Sequence, residues 1–96
     1  MAAYLIAQVQ IKDLETYKQY SARSSGIIAK HGGRILARGG ATDVLEGDAH
    51  PRRVVIIEFP TMAAARGFYD SPEYQEAKKI RAPISEAQFV VVQGVE

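Results

Sequence analysis

The sequence predicts an α+β fold in which one antiparallel sheet carries its helices on a single face. Three observations lead there. Segments of strand character stand near both ends of the chain and twice in its middle. Two stretches with helical spacing separate them, giving the order βαββαβ. The length, 96 residues without linker or low-complexity segment, fits a single domain over residues 1–96.

Each element has a local reason. Tyr4 to Ile11 alternates as a strand. Asp13 is a good N-cap, and Leu14, Tyr17, Ser21, Ser24 and Ile28 recur at helical spacing, so a helix should run to about Lys30 or His31. Gly32 stands where a left-handed C-terminal residue belongs. Arg34 to Arg38, inside HGGRILARGG, reads as a second strand. Gly39-Gly40 permits a bend, and Thr42 to Glu46 is expected to extend the strand beyond it. EGDAHP is a turn-rich loop. Arg53 to Phe59, RVVIIEF, is a strand rich in β-branched residues that Pro60 stops. Thr61 caps a helix through Met62, Ala65, Phe68 and Tyr69. Ser71-Pro72-Glu73 then reads as a break and restart, with Tyr74, Ala77 and Ile80 continuing the apolar face until Pro83. Gln88 to Val92 is the last strand, with an extension to Val95 left open. This order is the ferredoxin-like arrangement.

Composition excludes several function classes. The formal net charge is +1, so nothing favours nucleic acid or an anionic membrane. The chain has no cysteine, which removes disulfides, thiolate metal sites and cysteine nucleophiles and fits a cytoplasmic location. The apolar start, MAAYLIAQVQIKD, lacks a basic beginning and a cleavage pattern and reads as a strand. No apolar run is long enough to span a membrane. GGRILARGG follows a helix and enters a strand, the wrong order for a phosphate loop. RRVVIIEF lacks the aromatic and basic stacking motif of RNA-binding modules with the same element order.

The strand faces point to a partner. Leu5, Ala7, Val9 and Ile11 make the face expected beneath the helices, opposed by Tyr4, Ile6, Gln8 and Gln10. In the third strand Arg53, Val55, Ile57 and Phe59 oppose Val54, Ile56 and Glu58. In the last, Val90 and Val92 are assigned to the helix side and Phe89, Val91 and Gln93 to the other. The free face then holds Tyr4, Ile6, Val54, Ile56, Phe89 and Val91, too much apolar area to leave in water. A homodimer with facing sheets would cover it. Arg38, placed on the same face as Leu36, is expected near Glu58 on the adjacent strand. The pair is either an ion pair or the polar anchor of a small-molecule site.

AYLIAQVQIKDLETY, KHGGRILARGG, VLEGD, VVIIEFPTMAAARGFYDSPEYQEAKKIR and FVVVQG together resemble the family of domains of unknown function numbered 1330 over nearly the whole chain. Its pattern falls here on Arg38, Gly39, Gly40, Glu46, Glu58, Tyr69 and Tyr74 among others. The resemblance implies a ferredoxin-like protomer and a dimeric α/β barrel. It implies no particular activity. Relatives in the wider superfamily include cofactor-independent quinone-forming monooxygenases, muconolactone isomerase, polyketide cyclases and haem-binding enzymes, and a shared fold does not transfer their chemistry.

The expected site is a sheet/helix cavity that takes a small aromatic or carboxylic molecule. Arg38 would hold an anionic or carbonyl oxygen, and Glu58 or His50 would move a proton, as in an isomerase, cyclase or monooxygenase-like reaction without cofactor. Gln8, Tyr20, Gly39, Tyr69, Tyr74 and Gln93 complete the candidate ligand-binding set with Arg38 and Glu58. His31 and His50 lack a partner at ligand spacing, so no metal is expected. Two other functions stay open: a non-catalytic ligand-binding or structural dimer, and, more weakly supported, a haem-binding protein.

Overall fold

The computed structural model of the chain describes residues 1–48 and 52–95. The elements are β1 (Ala3–Ile11), α1 (Leu14–Lys30), β2 (Arg34–Arg38), β3 (Arg53–Phe59), α2 (Met62–Asp70), α3 (Pro72–Arg81), a 3-10 turn (Ala82–Ile84) and β4 (Ser85–Gln93). The strands form one antiparallel sheet in the order β2-β3-β1-β4. This is the α+β, ferredoxin-like arrangement that the sequence predicts.

Caps set the helix boundaries. The Asp13 carboxylate accepts from the Thr16 amide, and the Thr61 hydroxyl accepts from the Ala64 amide. Ser71 joins two helices: its hydroxyl donates to the Phe68 carbonyl at 2.8 Å and accepts from the Tyr74 amide at 3.1 Å. Gly32, with φ 79°, takes the left-handed turn that closes α1.

The core lies between the helices and the sheet. Leu5, Ala7 and Val9 of β1 and Ile57 and Phe59 of β3 meet Tyr17, Tyr20 and Ile28 of α1, Phe68 of α2 and Tyr74 of α3. Aromatic rings supply much of it: Phe68 lies 4.6 Å from Tyr74 and 5.5 Å from Phe59, centroid to centroid.

Three expectations need correction. Thr42 to Glu46 does not extend β2; that segment forms no strand. The last strand starts before Gln88, at Ser85, and ends at Gln93, short of Val95, and its faces are reversed. Val91 pairs with Leu5 and Phe89 with Ala7, which turns Phe89 and Val91 towards the helices. Val90 and Val92, 46% and 47% exposed, take the free face. Finally, β2 carries a bulge at Leu36. Arg34 pairs with Glu58 and Ile35 with Ile57, but Ala37 pairs with Ile56 and Arg38 with Val55. The extra residue moves Arg38 to the helix side, away from the face of Leu36.

Ser71→Ala deletes the cap of α3 and the tether to Phe68 together. Its expected cost is about 1–2 kcal/mol, read as a lower urea midpoint at unchanged slope.

Candidate functional site

The corrected faces divide the expected site residues into separate groups. Glu58 stays on the free face, where one carboxylate oxygen pairs with the Arg34 guanidinium at 3.1 Å and the other accepts from the Tyr4 hydroxyl at 3.3 Å. Gln8 shares that face, opposite Val54 and Gln88. Arg38 lies on the helix side, so Arg38 and Glu58 are not neighbours and do not form one anchor. The bulge is the physical reason. Gln93 is exposed at the end of β4, where its amide donates to the Met1 sulfur. The expected role of His50 lies outside the described residues.

On the helix side, Tyr20 and Tyr74 are core residues whose hydroxyls share a hydrogen bond of 2.8 Å. Tyr74 is fully buried; Tyr20 reaches a narrow cleft beneath α1. That cleft is also walled by Arg38, Arg53, Val55 and the α1 serines, and its free space is ≈ 30 Å³. Gly39 stands beside it. Its φ is 65°, and a Cβ there would lie 2.6 Å from Cζ of Arg53.

Tyr69 belongs to a different and much larger cavity. A space of ≈ 550 Å³ opens between α2, α3 and the β4 side of the sheet. Leu5, Met62, Ala65, Phe89 and Val91 give it apolar walls. Arg66, Lys78 and Arg81 supply cations, and no carboxylate lines it among the described residues. Arg66 is already paired with Asp70 at 2.7 Å. Lys78 donates to the Tyr69 hydroxyl at 2.9 Å. The phenol oxygen is thereby an acceptor, which leaves its own proton free to donate elsewhere.

Arg81 is the feature that sequence reasoning missed. It is only 5% exposed, at the end of α3. Its guanidinium carbon lies 4.6 Å from the Phe89 ring centroid and 5.5 Å from that of Tyr20. One Nη donates to the Tyr74 hydroxyl at 3.4 Å, and the buried Nε has no partner among the described residues. No described carboxylate comes within 4 Å of it. In the sequence, Arg81 looks like an ordinary basic residue of a last helical turn. The available signal was its spacing of seven from Tyr74, two helical turns along the same face.

His31 closes α1 and packs edge-on against Phe68. No three His, Cys, Asp or Glu side chains are grouped to hold a metal among the described residues. No helix of the described residues is long and apolar enough to cross a membrane.

With this geometry established, the class is a ferredoxin-like protomer, and the comparisons with known proteins place it further. The chain belongs to the family described as a domain of unknown function, DUF1330, whose model matches residues 2–95. No curated protein matches it. Among solved structures it is similar to a protein of unknown function from Rhodopseudomonas palustris, at 22% identity and a TM-score of 0.79 over 99% of this chain and 83% of that one. It is also similar to SnoaB, a cofactor-independent oxygenase from Streptomyces nogalater. There the identity is 14% and the TM-score 0.72, over 99% of this chain and 94% of that one. A dimeric ferredoxin-like protein of unknown function from Jannaschia aligns at 13% identity and a TM-score of 0.74, over 98% of this chain and all of that one. At these identities the likeness is one of fold.

Burial raises the pKa of the Tyr20 phenol well above its ordinary value of 10.0, and the neighbouring Tyr74 adds to the shift. Burial also raises that of Tyr17, against the opposing charges of Arg53 and Arg81. A raised folded-state pKa stabilises the fold fully below the unfolded value and loses that contribution as pH climbs above it. The melting temperature should therefore fall as pH rises above 10, and Tyr20→Phe should fall less steeply there. Thermal unfolding between pH 8 and 11 reads both slopes; identical slopes would refute the role of Tyr20.

Proposed function

We propose that the protein binds a small aromatic acid in the cavity between α2, α3 and β4, and acts on it without a cofactor. One observation carries this reading: Arg81 is a buried cation with no acidic partner among the described residues, on the wall of a cavity of ligand size whose charged lining is all cationic among the described residues. Burying an unpaired charge costs several kcal/mol. Stacking on Phe89 and Tyr20 offsets part of that, by about 2 kcal/mol for a desolvated pair. An anionic ligand would supply the missing counter-charge, and its ring would lie against Phe89, Val91 and Met62.

The chemistry follows from the groups at hand. Arg81 orients the acid group. Tyr69 exchanges a proton with an enol or phenol oxygen of the ligand, and the Lys78 ammonium stabilises the phenolate formed. This moves the acid–base role from Glu58, on the opposite face, to Tyr69. Isomerisation, cyclisation and cofactor-independent oxygenation all draw on a stabilised enolate or phenolate. The fold shared with SnoaB is compatible with the last of these.

The same reading includes a homodimer through the free sheet face. Ala37, Ile56, Ile6 and Val90 lie in one row across all four strands, and Tyr4 and Val92 extend it. The Arg34–Glu58 pair lies at one side of this strip and Gln8 with Gln88 at the other, so an apolar centre has polar margins. Leu36, Val90 and Val92 are each nearly half exposed in the single chain. Two relatives of this fold are described as dimeric.

Two measurements test these claims. With 1-anilinonaphthalene-8-sulfonate and the uncharged N-phenyl-1-naphthylamine as fluorescent probes, Arg81→Gln should weaken the sulfonate about tenfold or more. It should leave the neutral probe nearly unchanged. Equal affinity of wild type and variant for the sulfonate overturns the anchor. For the dimer, light scattering should give twice the chain mass for wild type and the single-chain mass for Val90→Asp; a monomeric wild type refutes it.

A further inference from the structure

We infer that the narrow cleft beneath α1 is a second binding site, for the carboxylate group of a short organic acid, separate from the cavity at Arg81. Two arginines, Arg38 and Arg53, line the cleft, and no carboxylate does among the described residues. Arg38 pairs with Val55, and Arg53 lies two residues further along the same face of β3. On adjacent strands this makes them diagonal neighbours, within reach for long side chains. No described carboxylate approaches either within 4 Å.

Arg53 is held in place. Its guanidinium carbon stands 5.4 Å from the Tyr17 ring centroid, and its other side rests on Gly39. A Cβ at Gly39 would come within 2.6 Å of Cζ and of Nη1, so the absence of a side chain there is what admits the guanidinium. The buried Arg53 Nε has no hydrogen-bond partner among the described residues. Thus two cations line one cleft with no carboxylate among its described lining residues, and the Arg53 Nε is left without a partner among them. That arrangement is stabilised by an anion between them.

The opposite wall of the cleft is α1, with Ser21, Ser24 and Ser25. The hydroxyls of Ser24 and Ser25 donate to the Ser21 carbonyl, and the Ser21 hydroxyl is unengaged among the described residues. A small oxyanion would therefore find a guanidinium fork on the sheet side and a hydroxyl donor on the helix side. The free space of ≈ 30 Å³ suits the two oxygens of a carboxylate, since one water needs about 10–15 Å³ on this measure. It excludes an aromatic ring, which distinguishes this site from the larger cavity. Planar carboxylate also matches the bidentate geometry of arginine.

The test is an NMR titration of the whole, isotope-labelled protein with sodium acetate at constant ionic strength. Saturable shifts are expected at the Arg53 Nε–H and at the amides of Ser21, Ser24 and Ser25. Arg38→Gln and Arg53→Gln should each weaken the titration about tenfold, while the exposed Arg52→Gln leaves it unchanged. Arg38 is itself exposed, so its variant keeps the fold if Arg53→Gln does not. Arg81→Gln should also leave it unchanged, so this site and the aromatic-acid cavity succeed or fail independently. Three results would overturn the inference: shifts that never saturate, equal weakening by Arg52→Gln, or tighter binding of inorganic phosphate than of acetate.

Discussion

The helical layer is organised around a guanidinium that it buries and that has no acidic partner among the described residues. Arg81 touches Tyr20 from α1, Tyr74 from its own helix and Phe89 from β4. Those three side chains tie both helical segments to the sheet. The hydrogen bond between Tyr20 and Tyr74 closes the group. Arginine suits the position because its charge is spread over a plane that can stack on rings while its edge keeps donors for another molecule. A lysine would leave a compact, strongly hydrated charge at the same depth. The ≈ 550 Å³ cavity beside it combines apolar walls from Leu5, Met62, Phe89 and Val91 with charged groups that are all positive among the described residues.

The second organising feature is one extra residue in β2. The bulge at Leu36 gives a five-residue strand two orientations, with Arg34 on the free face and Arg38 on the helix side. The two arginines then serve different ends. Arg34 is neutralised by Glu58 next to the apolar strip. Arg38 joins Arg53 at the mouth of the α1 cleft. Gly39 follows at once, with the backbone conformation and the missing Cβ that let Arg53 lie against the chain.

Much of the fold was legible because its signals are local. Asp13, Thr61 and Ser71 cap the helices that their sequence positions announce, and β3 runs over Arg53 to Phe59 as its β-branched content suggests. Which way a strand faces is less local. FVVV is apolar at both parities, so alternation cannot say which side meets the helices. Pairing with β1 decides it, and the ring of Phe89 goes to the side where Tyr69, Tyr74 and Arg81 can pack on it. The bulge was hidden for a related reason: RILAR alternates acceptably, and only the partner strand reveals the skipped position. Of the candidate site, Tyr69, Arg38 and Gly39 were legible as residues but not as two places. Arg81 was not, since a basic residue in the last turn of a helix is ordinarily a solvated complement to the helix dipole.

The functional proposal is that the cavity beside Arg81 takes an aromatic anion. A crystal structure of the protein grown with 2-naphthoate addresses it most directly. The expected result is the carboxylate on the Arg81 guanidinium, the rings against Phe89 and Val91, and the Tyr69 hydroxyl within hydrogen-bonding distance of the ligand. An Arg81 paired instead with a carboxylate of the protein, with the naphthoate absent or bound elsewhere, would contradict it.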